Sequence, residues 1–93
     1  MRDIDVVIEC VQIHLPTVSV TQLNKVHPAD DDGLWWFRIP GIVKDVQVES
    51  SSGRSPFLIE HDDMSSSSEA IIAPDPLSAA KAVIEYLRSL TSH

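Results

Sequence analysis

Near the end of the chain, Pro74-Asp75-Pro76 precedes Leu77, Ala80, Val83, Ile84, Leu87 and Leu90, which recur at the spacing of a helix with one apolar stripe. An Asp at position 75 can cap free backbone N–H groups. Pro76 suits the first helical position because an N–H there would have no partner anyway. Tyr86 flanks the stripe, while Lys81, Glu85 and Arg88 fall outside it. Such a stripe has to be buried, and with no other amphipathic helix legible the surface that buries it must be one face of a sheet.

That sheet is legible in the middle of the chain. Residues 34–40 are aromatic and branched, closed by Pro40-Gly41 as a turn. Residues 44–50 alternate, with Val46 and Val48 on one face and Asp45, Gln47 and Glu49 on the other. Ser51-Ser52-Gly53-Arg54-Ser55 is expected as a hairpin loop. Residues 56–61 return as the partner strand, Phe57 and Ile59 facing one way and Leu58 and Glu60 the other. After a polar loop through His61-Asp62-Asp63-Met64 and the serines at 65–68, residues 69–73 predict a short apolar strand.

The N-terminal part reads the same way. Ile4, Val6, Ile8 and Cys10 alternate with Asp5, Val7 and Glu9, predicting a first strand over residues 4–14. The apolar phase changes at Val11, Ile13 and Leu15, which a bulge or strand end near positions 10–11 would explain, and Pro16 then stops regular pairing. Residues 17–26 fit either a strand or a short helical turn. Residues 27–33, with proline, consecutive acids and glycine, form a loop. A chain of 93 residues makes a single domain. The expected class is α+β: a mostly antiparallel sheet of four to five strands, with one C-terminal amphipathic helix packed on one face.

Charge narrows the partners. Fourteen acidic residues against seven basic ones leave a formal charge of −7, and the basic residues are scattered. Such a chain repels phosphate backbones, so nucleic acid is not an expected partner. A basic protein is favoured, although acidity also serves plain solubility. The acidic start, Met1-Arg2-Asp3-Ile4-Asp5, does not resemble a signal peptide, and no stretch approaches the roughly 20 apolar residues of a membrane span. The lone cysteine, Cys10, is expected as a reduced, buried thiol acting as a small hydrophobe in a cytoplasmic protein.

Few side chains offer chemistry. If the helix covers Val46, Val48, Phe57 and Ile59, then Gln47, Glu49 and Glu60 face outward. Placing Trp35, Phe37 and Ile39 inside puts Trp36 and Arg38 beside them. An aromatic, a guanidinium, an amide and two carboxylates make a partner-binding surface; cross-strand pairing of Arg38 with Glu49 or Glu60 would make it only a solvated face. Glu49 and Glu60 could also serve as acid and base, but no pocket is marked around them. His61-Asp62-Asp63 has metal-ligand residue types without metal-ligand spacing, and Asp30-Asp31-Asp32-Gly33 lacks the alternating acids of a calcium loop. Cys10 and His14, four apart, would stand about 13 Å apart on a strand. No serine elbow and no glycine-rich phosphate cradle is present, so no catalytic residue, metal or cofactor is expected.

Trp35-Trp36-Phe37, Gln47-Val48-Glu49-Ser50-Ser51-Ser52-Gly53 and Pro56-Phe57-Leu58-Ile59-Glu60-His61 together resemble a pattern in small, mostly uncharacterised bacterial proteins. Some small acidic domains of this build are immunity proteins that neutralise polymorphic or contact-dependent toxins. The resemblance spans about residues 34–90 and brings no catalytic residues. It implies stoichiometric docking of an acidic surface on a basic toxin. Two other functions stand beside it: a homodimer or assembly subunit using an exposed strand edge, and a small enzyme using Glu49 and Glu60.

Overall fold

The computed structural model describes residues 3–22, 34–51, 54–64 and 69–91. The elements run α1 (Asp3–His14), β1 (Ser19–Gln22), β2 (Leu34–Arg38), β3 (Asp45–Ser51), β4 (Arg54–His61), β5 (Ile71–Ala73) and α2 (Pro76–Thr91). The five strands form one antiparallel sheet in sequence order, β1-β2-β3-β4-β5, so every connection joins neighbours. The fold is α+β, with the C-terminal helix packed against the sheet.

The alternation in the central strands does what a half-buried sheet requires. Phe37 stands opposite Val46, Trp35 opposite Val48, Val48 opposite Ile59, and Phe57 opposite Ala73. Phe37, Val46, Val48, Phe57, Ile59 and Ala73 are buried, while Trp35, Val20 and Ile39 pack against them from the margin. A register shift between Glu49 and Ser51 carries β3 further than expected, and β4 begins at Arg54. The hairpin is therefore shorter than the loop over residues 51–55, and Ser52 and Gly53 lie outside the described residues. The edge strand β5 is also shorter than residues 69–73.

The helix start at Asp75 matches the chemistry of its residues. Asp75 Oδ1 accepts the Ser78 N–H at 2.8 Å, and the Ala79 N–H reaches the Asp75 carbonyl at 3.1 Å. Ala79, Ala80, Val83, Ile84 and Leu87 make the buried stripe. Leu77 does not join it. That side chain is 67% exposed, so the buried face begins after the first turn.

One expectation is overturned. Residues 4–14 form no strand; α1 spans Asp3–His14, so two helices cover the sheet instead of one. Ile4, Val7 and Val11 are fully buried, with Ile8 and Leu15 packed beside them, and these five positions share one helical face. The phase change near Cys10 was the 3.6-residue period passing through a stretch that also alternates. Acids occupy the first turn at Asp3 and Asp5, and His14 occupies the last, the charge order a helix dipole favours. Asp3 Oδ2 accepts the Ser55 N–H at 2.8 Å, tying α1 to β4 and holding that carboxyl below the ordinary range.

Residues 17–26, open between strand and helix, resolve in part: residues 19–22 are β1, and residues 23–26 lie outside the described residues, as do the loop over 27–33 and its three acids. No helix among the described residues is long and apolar enough to cross a membrane.

Pro40-Gly41 forms the turn between β2 and β3. The Ile42 N–H donates to the Ile39 carbonyl at 3.0 Å, and Gly41 holds φ +88°, a conformation L side chains rarely adopt. A Cβ at Gly41 would meet nothing within 4 Å, so Gly41→Ala suffers backbone strain without a clash. The expected loss is about 1–2 kcal/mol, a thermal midpoint lower by roughly 4–12 °C in a melt followed by circular dichroism.

Candidate functional site

Both helices occupy one face of the sheet, so among the described residues no helix covers the other, and strand register fixes what that face displays. Trp36 stands opposite Gln47, and Gln47 opposite Glu60, so these three form one cross-strand row. Arg38 stands opposite Asp45 on one side of that row. On the other side, Glu49 lies between Leu34 and Leu58, with Ile72 beyond Leu58. The five residues expected to share the outer face share it. Trp36, Gln47 and Glu60 are half-buried; Arg38 and Glu49 are exposed.

The structure separates these five into two groups. A groove of about 200 Å³ is lined by Trp36, Asp45, Gln47, Glu60, His61 and Asp62. Three of the sequence candidates line it, while Arg38 and Glu49 stand outside its lining. Asp45, His61 and Asp62 are the additions. Asp45 shares the parity of Gln47 along β3, so its place on this face was available from the alternation. For His61 and Asp62 the sequence offers only metal-ligand residue types. What brings them to Asp45 is the pairing of Val46 with His61, a contact between strands that alternation alone does not specify.

The acids at this end of the sheet have distinct environments. The Asp45 N–H donates to Asp62 Oδ2 at 3.1 Å, which places the two carboxylates near one another. Partial burial first, and then the Asp62 charge, push the Asp45 carboxyl above its ordinary value, while Arg38 acts against both. Asp63 points elsewhere. Lys44 Nζ pairs with its carboxylate at 2.5 Å, and that contact leads the causes holding Asp63 low.

His61 and Tyr86 anchor this corner to α2. Their rings stack with centroids 3.8 Å apart and planes 12° from parallel. The Asp63 N–H donates to His61 Nδ1 at 3.3 Å, which requires that nitrogen to be unprotonated. The Tyr86 hydroxyl is buried without a hydrogen bond of ordinary geometry; burial, and next the neighbouring Asp63 carboxylate, raise it to about 12. Tyr86 is thus a structural ring at neutral pH.

On the helical side, the strand geometry assumed for Cys10 and His14 does not hold. They sit one helical turn apart, with Cys10 Sγ 4.0 Å from His14 Nδ1 and the same nitrogen 2.9 Å from the Cys10 carbonyl. Both line a second groove with Leu77, Lys81, Ile84, Glu85 and Arg88. Among the described residues, no group of three His, Cys, Asp or Glu side chains is arranged to hold a metal ion.

Comparison with protein-family models, with curated proteins and with solved structures finds no match. The chemistry of the site therefore rests on its own side chains.

The raised Asp45 carboxyl has a stability consequence. A carboxyl lifted in the fold favours the folded state at low pH, and that advantage fades as pH rises through its folded value. Asp45→Asn removes the charge that Asp62 opposes. Its thermal midpoint is expected about 2 °C or less above the parent at pH 7, with no gain near pH 3. A midpoint lowered at pH 7 contradicts the like-charge account.

Proposed function

We propose that this chain is a non-catalytic protein-binding domain that docks a basic protein partner on its outer sheet face, in the manner of an immunity protein neutralising a bacterial toxin. The supporting observation is the groove in that face, where Trp36, Gln47 and Glu60 meet Asp45 and Asp62. An open face that concentrates acid around an aromatic suits a partner bringing opposite charge, and a formal charge of −7 steers such a partner toward it. A reducing, cytoplasmic setting fits the free thiol of Cys10.

The acid–base alternative draws less support. Glu49 is exposed, lies outside the groove, and stands opposite Leu58 instead of Glu60. Two carboxylates so placed lack the shared enclosure that separates an acid from a base.

The docking proposal is tested by using the full chain as bait in native cell lysate, beside a Glu49→Lys/Glu60→Lys variant. The parent is expected to retain one abundant basic protein, and the variant to retain it at least about tenfold less, with the difference shrinking at high salt. Equal retention by both chains would remove the outer face as the docking surface.

A second proposal, self-association, has its own supporting observation. The strand β5, with no further strand beside it among the described residues, presents Ile71 and Ile72, 42% and 72% exposed. Sedimentation should then show a dimer that Ile72→Lys dissociates. A strict monomer at high concentration defeats the idea.

A further inference from the structure

On the helical side of the molecule, the seam between α1 and α2 holds a groove of about 290 Å³. Leu77, Lys81, Ile84 and Arg88 stand at i, i+4, i+7 and i+11, so they follow one side of α2 for about 16 Å. Cys10 and His14 of α1 complete the lining with Glu85. That lining is mainly apolar. Ile84 is buried, Cys10 is half-buried, and Leu77 at one end is 67% exposed.

Charge on this rim runs opposite to that of the whole chain. Lys81 and Arg88 bring two cations and Glu85 one carboxylate, in a protein whose formal charge is −7. Glu85 has Lys81 beside it at 4.0 Å, while Arg88 makes no ion pair among the described residues. The His14 Nδ1–H donates to the Cys10 carbonyl at 2.9 Å, which leaves Nε2 without a partner among the described residues. With its proton so placed, Nδ1 cannot accept the proton of the Cys10 thiol. Cys10 therefore lends the groove surface and not a nucleophile.

Floor, rim and size together restrict the occupant. Ligand pockets run to about 300–1,000 Å³, so this groove stands at their small end and suits a short apolar chain of about six to ten carbons. A carboxylate head answers the free guanidinium of Arg88 with two parallel hydrogen bonds. A head with a single negative charge also meets less repulsion from this acidic chain than a phosphate monoester would. We propose that the groove binds one small amphiphilic carboxylate, its apolar chain along Leu77, Ile84 and Cys10 and its head at Arg88. The site lies apart from the outer sheet face and stands whether or not a basic protein docks there.

The test is a titration of the full ¹⁵N-labelled chain with octanoate and, separately, with octylammonium and octanol at matched ionic strength. The backbone amides of Cys10, Leu77, Ile84 and Arg88 are followed. Saturable shifts are expected, with octanoate bound about threefold or more tightly than either other probe. Net charge alone would favour octylammonium, so the order of the two separates the groove from the general field of the chain. Hexanoate should bind at least about threefold more weakly than octanoate, and saturating octanoate should slow alkylation of Cys10 by iodoacetamide. Arg88→Gln should weaken octanoate about threefold and leave octanol unchanged, whereas Leu77→Ser should weaken both. Both side chains are exposed, so neither variant takes packing from the core. If Leu77→Ser nevertheless loses its folded spectrum, Arg88→Gln decides. Equal affinities for the three probes, shifts that do not saturate, or octanoate binding indifferent to Arg88→Gln overturn the proposal.

Discussion

Exclusion of water from one face of the five-stranded sheet is the constraint on which the rest of this structure depends. Phe37, Val46, Val48, Phe57, Ile59 and Ala73 on that face meet Ile4, Val7 and Val11 from α1 and Ala79, Ala80, Val83 and Leu87 from α2. Each large side chain among them contributes about 1.5–3 kcal/mol by leaving water. Ordering the backbone costs about 1–2 kcal/mol per residue, so a small sheet covered on one side needs all of that contact. Neither helix works alone. α2 lies over β3, β4 and β5, while α1 packs beside α2 and reaches β4. The small Ala79 and Ala80 let α2 sit close to its neighbours.

The strands and α2 were legible because each carries one unambiguous period. Val46 and Val48 against Gln47 and Glu49 can only alternate, and the stripe after Asp75 fits no strand. Residues 3–15 carry two periods at once. Ile4, Val6, Ile8 and Cys10 satisfy a strand, while Ile4, Val7, Ile8, Val11 and Leu15 satisfy a helix, because Val6, Val7 and Ile8 are all apolar and branched. Branched residues weigh toward a strand by propensity. Packing against α2 outweighs that preference here, and the local signals agreeing with it were the acids at Asp3 and Asp5 and the change of phase after Cys10. A phase change can mark a bulge, but an unbroken helical stripe through it needs no bulge at all.

The site was legible to the same depth. Parity along β2, β3 and β4 placed Trp36, Gln47, Glu49 and Glu60 on one face, since a side chain's face follows from local geometry alone. Which of them border a shared groove depends on register, and register is set between strands. Pairing Val46 with His61 brings Asp62 to the start of β3, where its carboxylate accepts the Asp45 N–H. That contact joins residues 17 apart in the chain, and neither residue signals it locally. The sequence therefore showed the face and left the groove concealed.

Charge on the outer face then follows its own logic. Side chains there are free of core packing, so acids can gather at modest cost to stability. They nevertheless gather unevenly. Lys44 could have neutralised the end of the sheet where Asp45 and Asp62 meet, yet its ammonium pairs with Asp63. Like charges are left side by side around Trp36, an arrangement that opposes folding slightly at neutral pH and favours any positively charged group brought from outside. A second copy presenting the same face would add repulsion to repulsion. The β5 edge carries no such penalty, since Ile71 and Ile72 are uncharged and exposed. Ile72 nevertheless continues the outer-face row of Leu34, Glu49 and Leu58, so docking of a basic partner on that face and pairing of two copies at the β5 edge would compete for adjoining surface.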